Sequence, residues 1–161
     1  MRKKWNDSDP EYRDGKRLGK KARALVRQSR RPFFRCVHCK NEISIDAVGT
    51  KHRNHCPVCL WSRHVDNSIG DRKSNCLASI RPLGLSLKEN GGEIMIVHWC
   101  VKCHKISRNR IAADDNTTSI LDLLKSSLDI DAKILGLIKS KGIKLCLDKA
   151  TIEHILFGKT N

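Results

Sequence analysis

Two pairs of cysteines carry the clearest chemistry in the chain. Cys36 and Cys39 form one Cys-x₂-Cys turn, Cys56 and Cys59 form another, and sixteen residues separate the two. Because the two sulfurs of such a turn can bind the same metal ion, two turns at this separation predict a tetrahedral shell of four thiolates around Zn²⁺. A shell without an open position is structural rather than catalytic. Two surface disulfides are the alternative, which a reducing compartment disfavours.

A third turn predicts a second zinc ion. Cys100 and Cys103 need two further ligands, and Cys76 is the third thiol available. The candidates for the fourth ligand are His64, His98 and His104. His64 is favoured because it follows the first site and has Asp66 nearby as an acceptor for its second ring nitrogen. His98 is a rival, since on a strand it would share a face with Cys100.

The charge of the chain is large and uneven. The 161 residues carry a formal net charge of +15. Residues 1–35 hold thirteen Lys and Arg against four acids, so more than half of the excess lies in the first fifth of the chain. Such a basic segment before a compact domain indicates a polyanionic partner, and nucleic acid is the usual one. We expect it to order on phosphate.

The N-terminal segment, residues 1–32, is predicted to be a basic arm or helix. Leu18, Ala22, Leu25 and Val26 give residues 11–31 a narrow apolar stripe at helical spacing, and Pro32 ends the pattern. Mutual repulsion of its cations keeps such a helix unstable when free. The arm residues expected to contact phosphates are Arg13, Lys16, Arg17, Lys20, Lys21, Arg23, Arg27, Arg30 and Arg31.

The rest of the chain predicts a small α+β fold, a two-zinc ribbon or treble-clef-like domain followed by a short helical segment. Residues 33–116 contain seven of the eight cysteines, and the strand-like runs 80–87 and 93–99 flank a glycine-containing turn. Residues 117–161 show helical spacing. The first helix has three candidate N-caps, and the later helices are expected over 131–140 and from about 148. The candidate caps are Thr117, Thr118 and Ser119.

Several residues beside the Cys-x₂-Cys turns could have either of two roles. Lys51, Arg53, Arg108 and Arg110 are expected to contact phosphates, although they could equally form solvated faces. Trp61 and Trp99 are expected to pack over the zinc loops, with stacking on an exposed base as the alternative. The acidic stretch 114–116 is interpreted as the start of a helix rather than a metal site.

Four segments carry a specific resemblance to a known family. They are Arg53-Asn54-His55-Cys56-Pro57, Gly70-Asp71-Arg72, His98-Trp99-Cys100 and Asn109-Arg110-Ile111-Ala112-Ala113-Asp114-Asp115-Asn116. With them the chain is similar over about 33–116 to the RNHCP domain family, which implies a small, cytoplasmic bacterial zinc-binding domain without an established activity. The basic arm and the helical segment lie outside it.

A second resemblance is weaker. His64-Val65-Asp66-Asn67, Asn75 and His104 resemble the HNH nuclease arrangement on a treble-clef zinc scaffold, in which a histidine acts as general base beside a catalytic metal. The chain lacks the second adjacent histidine of that motif, and Cys76 interrupts the expected spacing.

These observations predict a zinc-stabilised RNA-binding protein with two Zn²⁺ per chain, ribosomal or ribosome-associated and in contact with rRNA phosphates. An HNH-like nuclease and a DNA-binding regulator are the alternatives. We expect no enzymatic activity, because both zinc shells are closed and no carboxylate adjoins His52, His55 or His104 in the sequence. The chain shows no apolar run of membrane-spanning length, so we expect a cytoplasmic protein without membrane or small-molecule partners.

Overall fold

A computed structural model describes residues 33–48, 50, 53–68, 70–89 and 91–158. The predicted arm 1–32, with the nine cations from Arg13 to Arg31 that are expected to contact phosphates, lies outside the described residues, and so does Lys51.

In the described part of the chain, two antiparallel sheets and three helices build the fold, which confirms the small α+β class. The two-stranded sheet pairs β1 (Phe33–Arg35) with β2 (Glu42–Ser44). The four-stranded sheet consists, in spatial order, of β3 (Ser62–Arg63), β4 (Ser79–Leu87), β5 (Ile94–Cys100) and β6 (Ile106–Arg110). The helices are α1 (Thr117–Ser126), α2 (Ala132–Ser140) and α3 (Lys149–Phe157), with a 3₁₀ turn at Ser127–Asp129. The predicted hairpin is β4 and β5.

Helices cover both faces of the larger sheet. Successive side chains of β5 point to opposite faces, and each face packs with different helices. Ile94 and Ile96 of β5 lie in a buried cluster with side chains of α1 and α3. Val97 points the other way and packs with Ile138 of α2. The helices therefore share their core with the strands, although the sequence pattern divides the chain at residue 116.

All three helices begin close to where the sequence pattern places them, but the candidate caps of the first helix are wrong. Asp131 and Asp148 cap α2 and α3, with side chains that accept hydrogen bonds from the backbone. The cap of α1 is Asn116 and not one of the three hydroxyl residues that follow it, since its Oδ1 accepts from the backbone N–H of Ser119 at 2.9 Å.

One glycine is required by close packing of β4. The register of β4 and β5 shifts between Pro82 and Gly84. A Cβ atom on Gly84 would lie 3.0 Å from the Cβ of Ser127 and 3.2 Å from Leu145. The 3₁₀ turn after α1 can approach the strand only because residue 84 has no side chain.

Candidate metal centres and the polar network behind them

The three Cys-x₂-Cys turns, called the first (36–39), second (56–59) and third (100–103) knuckles, share one backbone geometry. In each, the N–H of the leading cysteine donates to a carbonyl five residues later, at 2.8 Å in the first knuckle and 2.9 Å in the other two. The residue after each second cysteine has positive φ, 66° at Lys40, 61° at Leu60 and 60° at His104. This repeated turn directs both sulfurs of each pair to one point.

The first and second knuckles bring four thiols together. The Sγ atoms of Cys36 and Cys59 are 3.5 Å apart, and those of Cys39 and Cys56 are 3.6 Å apart. All four lie within 4.8 Å of one another. Zn–S bonds of about 2.3 Å in a tetrahedron require sulfur separations of about 3.8 Å, whereas a disulfide bond requires about 2.05 Å. The cluster fits a zinc ion and not disulfides.

The third knuckle forms a second cluster with Cys76 and His64. The Sγ atoms of Cys76 and Cys100 are 3.6 Å apart, and Nδ1 of His64 lies 3.2 Å from Sγ of Cys103. The four ligand atoms again lie within 4.8 Å of one another. With three thiols and one imidazole, this cluster fits a second zinc ion, and His64 occupies the fourth position.

The two rival histidines are engaged elsewhere. His98 is fully buried, and its Nε2–H donates to the carbonyl of Leu60 at 2.8 Å. His104 stacks on Trp99 with ring centroids 5.3 Å apart. Asp66 was expected to accept a hydrogen bond from the second ring nitrogen of His64. Its carboxylate instead accepts from the backbone N–H groups of Gly70 and Arg72. Asp66 therefore shapes the loop that leads from His64 to Cys76.

Burial favours protonated thiols at two ligands of the first cluster and a neutral imidazole in the second. Burial raises the pKa of Cys56 to about 11 and also raises that of Cys59, so zinc must displace protons when it binds. Burial, helped by the positive charge of Lys105, lowers the pKa of His64. A lowered pKa keeps the imidazole neutral, which is the form that binds a metal ion.

A buried polar network lies behind the second knuckle, and sequence reasoning missed it. Nε2 of His55 lies 2.7 Å from Oδ2 of Asp115, which also accepts from the N–H of Ala112 at 2.8 Å. The guanidinium of Arg53 is buried, pairs with Asp114 and lies 3.9 Å from Asp115. These contacts fix the segment before α1 to the segment before the second knuckle.

The network overturns two expectations. Arg53 is 2% exposed, so it is not available to an RNA phosphate. His55 does have a carboxylate partner, but the partner is sixty residues away in the sequence. Both groups are buried with their partner, which makes the pair a structural element rather than an accessible acid-base site.

A second polar chain connects the same knuckle to the sheet. Nδ2 of Asn54 donates to Oδ1 of Asn109 at 2.6 Å, and Nδ2 of Asn109 lies 2.9 Å from Nδ1 of His98. Burial lowers the pKa of His98 to about 4, so the ring is neutral and can accept at Nδ1 while it donates at Nε2. Oδ1 of Asn54 lies 3.0 Å from Nδ1 of His55, so each side-chain nitrogen and oxygen of Asn54, Asn109 and His98 has a partner.

Helix α1 also contacts the second knuckle directly. The N–H of Asn116 donates to the carbonyl of Pro57 at 2.8 Å, and Oγ of Ser119 donates to the carbonyl of Val58 at 2.7 Å. Leu60, the residue after the knuckle, lies in the core cluster with Ile96 and Ile120. The first zinc site is therefore built into the main core.

Comparison with known proteins gives one family. The model of the RNHCP domain matches residues 31–121, more than half of the chain. No curated protein and no solved structure gives a match. Within the part that the structure describes, no helix is long and apolar enough to cross a membrane. With two zinc clusters and the Arg-Asn-His-Cys-Pro segment at the centre of the match, the chain belongs to the RNHCP domain family.

Proposed function

We propose that this zinc-binding protein is an RNA-binding protein of the cytoplasm that associates with the ribosome and contacts rRNA phosphates. The observation that carries the proposal is the excess of exposed cations around the larger sheet and the second zinc site. Residues 63–110 contain nine Lys and Arg against four acids, and all nine cations are exposed. A polyanion is the partner that such a surface favours.

The strand register places three exposed arginines on one face of the larger sheet, around the part of that face where Val97 packs with α2. Arg63 of β3 is opposite Ser79, and Arg81 lies two residues further along β4, opposite Trp99 of β5. Arg108 of β6 is opposite Val97, two residues before Trp99. Cross-strand partners and residues two apart share a face, so the three arginines lie on one face of the sheet.

The charges on this face are largely unneutralised. Arg110 is paired with Glu93 at 3.2 Å, and Arg72 lies 3.7 Å from Asp66. Among the described residues, Arg63, Arg81 and Arg108 have no carboxylate partner. Because the sheet already fixes the backbone at these arginines, binding a phosphate orders only the side chain, which favours such positions for backbone contacts.

The ribosome is proposed as the target by analogy. Small zinc-ribbon proteins with basic extensions are common on ribosomes, and rRNA is the most abundant structured RNA of a cell. The thirteen cations in residues 1–35 supply the basic extension of this chain.

We also propose that the protein is not an enzyme. In each cluster four protein ligands surround the zinc position, so no coordination site is left to activate water. His64, the candidate base of an HNH-like nuclease, stands among the thiols of the second cluster. His55 and its carboxylate are buried away from any substrate.

Sedimentation of the tagged full chain through sucrose gradients tests the proposal. We expect co-migration with a ribosomal subunit at low salt and its loss at high salt. Arg81→Gln combined with Arg108→Gln should lower the slope of log affinity against log salt by about 0.7–0.9 per arginine, while Lys133→Gln on α2 should leave it unchanged. No co-migration at any salt concentration would refute the ribosomal assignment.

A further inference from the structure

Each zinc cluster carries a histidine stacked on a tryptophan. In the first, the rings of His38 and Trp61 are 4.4 Å apart and 5° from parallel. In the second, the rings of Trp99 and His104 are 5.3 Å apart and 28° from parallel. Both tryptophans are half-buried, whereas both histidines are exposed. The tryptophan packs on the protein, and the imidazole covers it on the outer side.

The arrangement differs from simple packing over the zinc loops. An exposed histidine normally samples several rotamers, but here a flat partner and a metal-braced turn hold the ring. The N–H of His38 lies 3.4 Å from the Cys36 sulfur, and the N–H of His104 donates to the Cys100 carbonyl at 3.0 Å. Each imidazole therefore offers an ordered aromatic face at a low entropic cost of binding.

Cations flank both stacks. Arg35 and Lys40 bracket the first knuckle, and their side chains donate to backbone carbonyls rather than to carboxylates. Arg81 is the cross-strand partner of Trp99, and the exposed Lys102 and Lys105 border His104. A flat aromatic face between positive charges matches a base attached to its phosphates.

We infer that the two histidine–tryptophan stacks are platforms for unpaired nucleobases of single-stranded RNA. The inference rests on the proposed RNA binding and adds a second kind of contact to it. Phosphate contacts alone are indifferent to the presence of bases, whereas a platform requires them.

The direct test compares two oligomers of equal phosphate count, a short oligouridylate and its base-free ribose-phosphate analogue. Fluorescence anisotropy with the zinc-loaded full chain gives both affinities across a salt series. We expect the base-free oligomer to bind at least about tenfold more weakly at every salt concentration, with the same salt slope. Equal affinities would overturn the platforms and leave phosphate binding intact.

Single variants then assign the effect to each pair. His38→Ala and His104→Asn should each weaken oligouridylate binding several-fold and leave binding of the base-free oligomer unchanged. Asn is chosen at 104 because it tolerates the positive φ of 60° at that position. His154→Ala, at an exposed histidine of α3, is the matched control. His38→Phe should restore binding, since it returns a flat ring without a ring nitrogen.

Zinc content, measured for every variant, separates stacking from folding. A variant that keeps two zinc ions and binds oligouridylate as His154→Ala does would exclude its own pair as a platform. If the unmodified protein binds neither oligomer, the proposed function fails and the platforms fail with it.

Discussion

Replacing Asp115 by alanine tests the buried network most directly. The carboxylate accepts from His55 and from the backbone N–H of Ala112, and it lies beside the buried guanidinium of Arg53. Asp115→Ala would leave a buried donor on His55, a buried backbone N–H and a guanidinium that keeps only Asp114.

The expected cost is large. Breaking a buried charged pair by removing one partner destabilises a protein by about 3–5 kcal/mol, because the other charge stays buried. Asp115→Asn keeps an acceptor but loses the charge, so a smaller loss of about 1–3 kcal/mol is expected. Most small domains are stable by only about 5–15 kcal/mol, so the alanine variant should lose much of its stability.

Urea unfolding followed by circular dichroism, at one fixed concentration of free zinc, measures these losses. Fixing free zinc keeps the metal contribution equal among the proteins. Asp122→Ala is the control, since Asp122 is exposed on α1 and pairs only with Lys125. That variant should change the free energy of unfolding by less than about 0.5 kcal/mol. If Asp115→Ala also lost less than about 1 kcal/mol, the network would not stabilise the fold.

Four further results are expected. Native mass spectrometry should find two zinc ions in the unmodified chain, and zinc-buffer titrations should show that His64→Ala weakens the second site, whereas an unchanged affinity would exclude His64 as a ligand. The first site should bind zinc more tightly as the pH rises, about tenfold per unit for each thiol still protonated, because the raised pKa of Cys56 makes zinc compete with protons; pH-independent affinity in zinc-buffer titrations would contradict this. Deleting residues 1–31 should flatten the salt dependence of RNA binding without releasing zinc, and an unchanged slope would show that the arm makes no phosphate contacts. Incubation of DNA or RNA with Mg²⁺ or Mn²⁺ should give no cleavage, and cleavage lost in His64→Ala with zinc content unchanged would favour a nuclease.

The features that the sequence predicted are local ones. Three such patterns each predict a local structure from a few neighbouring residues. They are a Cys-x₂-Cys turn, an aspartate before an apolar run, and a glycine-containing turn between two strand-like runs. The starts of α2 and α3, near Asp131 and Asp148, were predictable for that reason. His64 could be favoured because a tetrahedral shell with three thiols needs one more ligand.

The features that it did not predict depend on contacts between distant segments. Arg53 and Lys51 belong to the same basic stretch. Nothing in that stretch reveals that the guanidinium of Arg53 is buried against Asp114 and Asp115. His38 lies within the first knuckle, and it stacks on Trp61, which follows the second knuckle. A polar residue beside a zinc turn is therefore ambiguous from sequence, since charge alone does not distinguish a solvated face from a buried pair.

The two zinc sites differ in what they support. The second knuckle is followed by Leu60 in the main core, receives hydrogen bonds from α1 and adjoins the network of Asp115. The second cluster uses Cys103, which is exposed, and a loop that the Asp66 carboxylate holds by backbone contacts. The first zinc ion thus stabilises the packing of helix on sheet, because its second ligand turn contacts α1 and leads into the core between them. The second zinc ion holds the third knuckle, where Lys102 and Lys105 are exposed. It therefore orders part of the surface that we propose binds RNA.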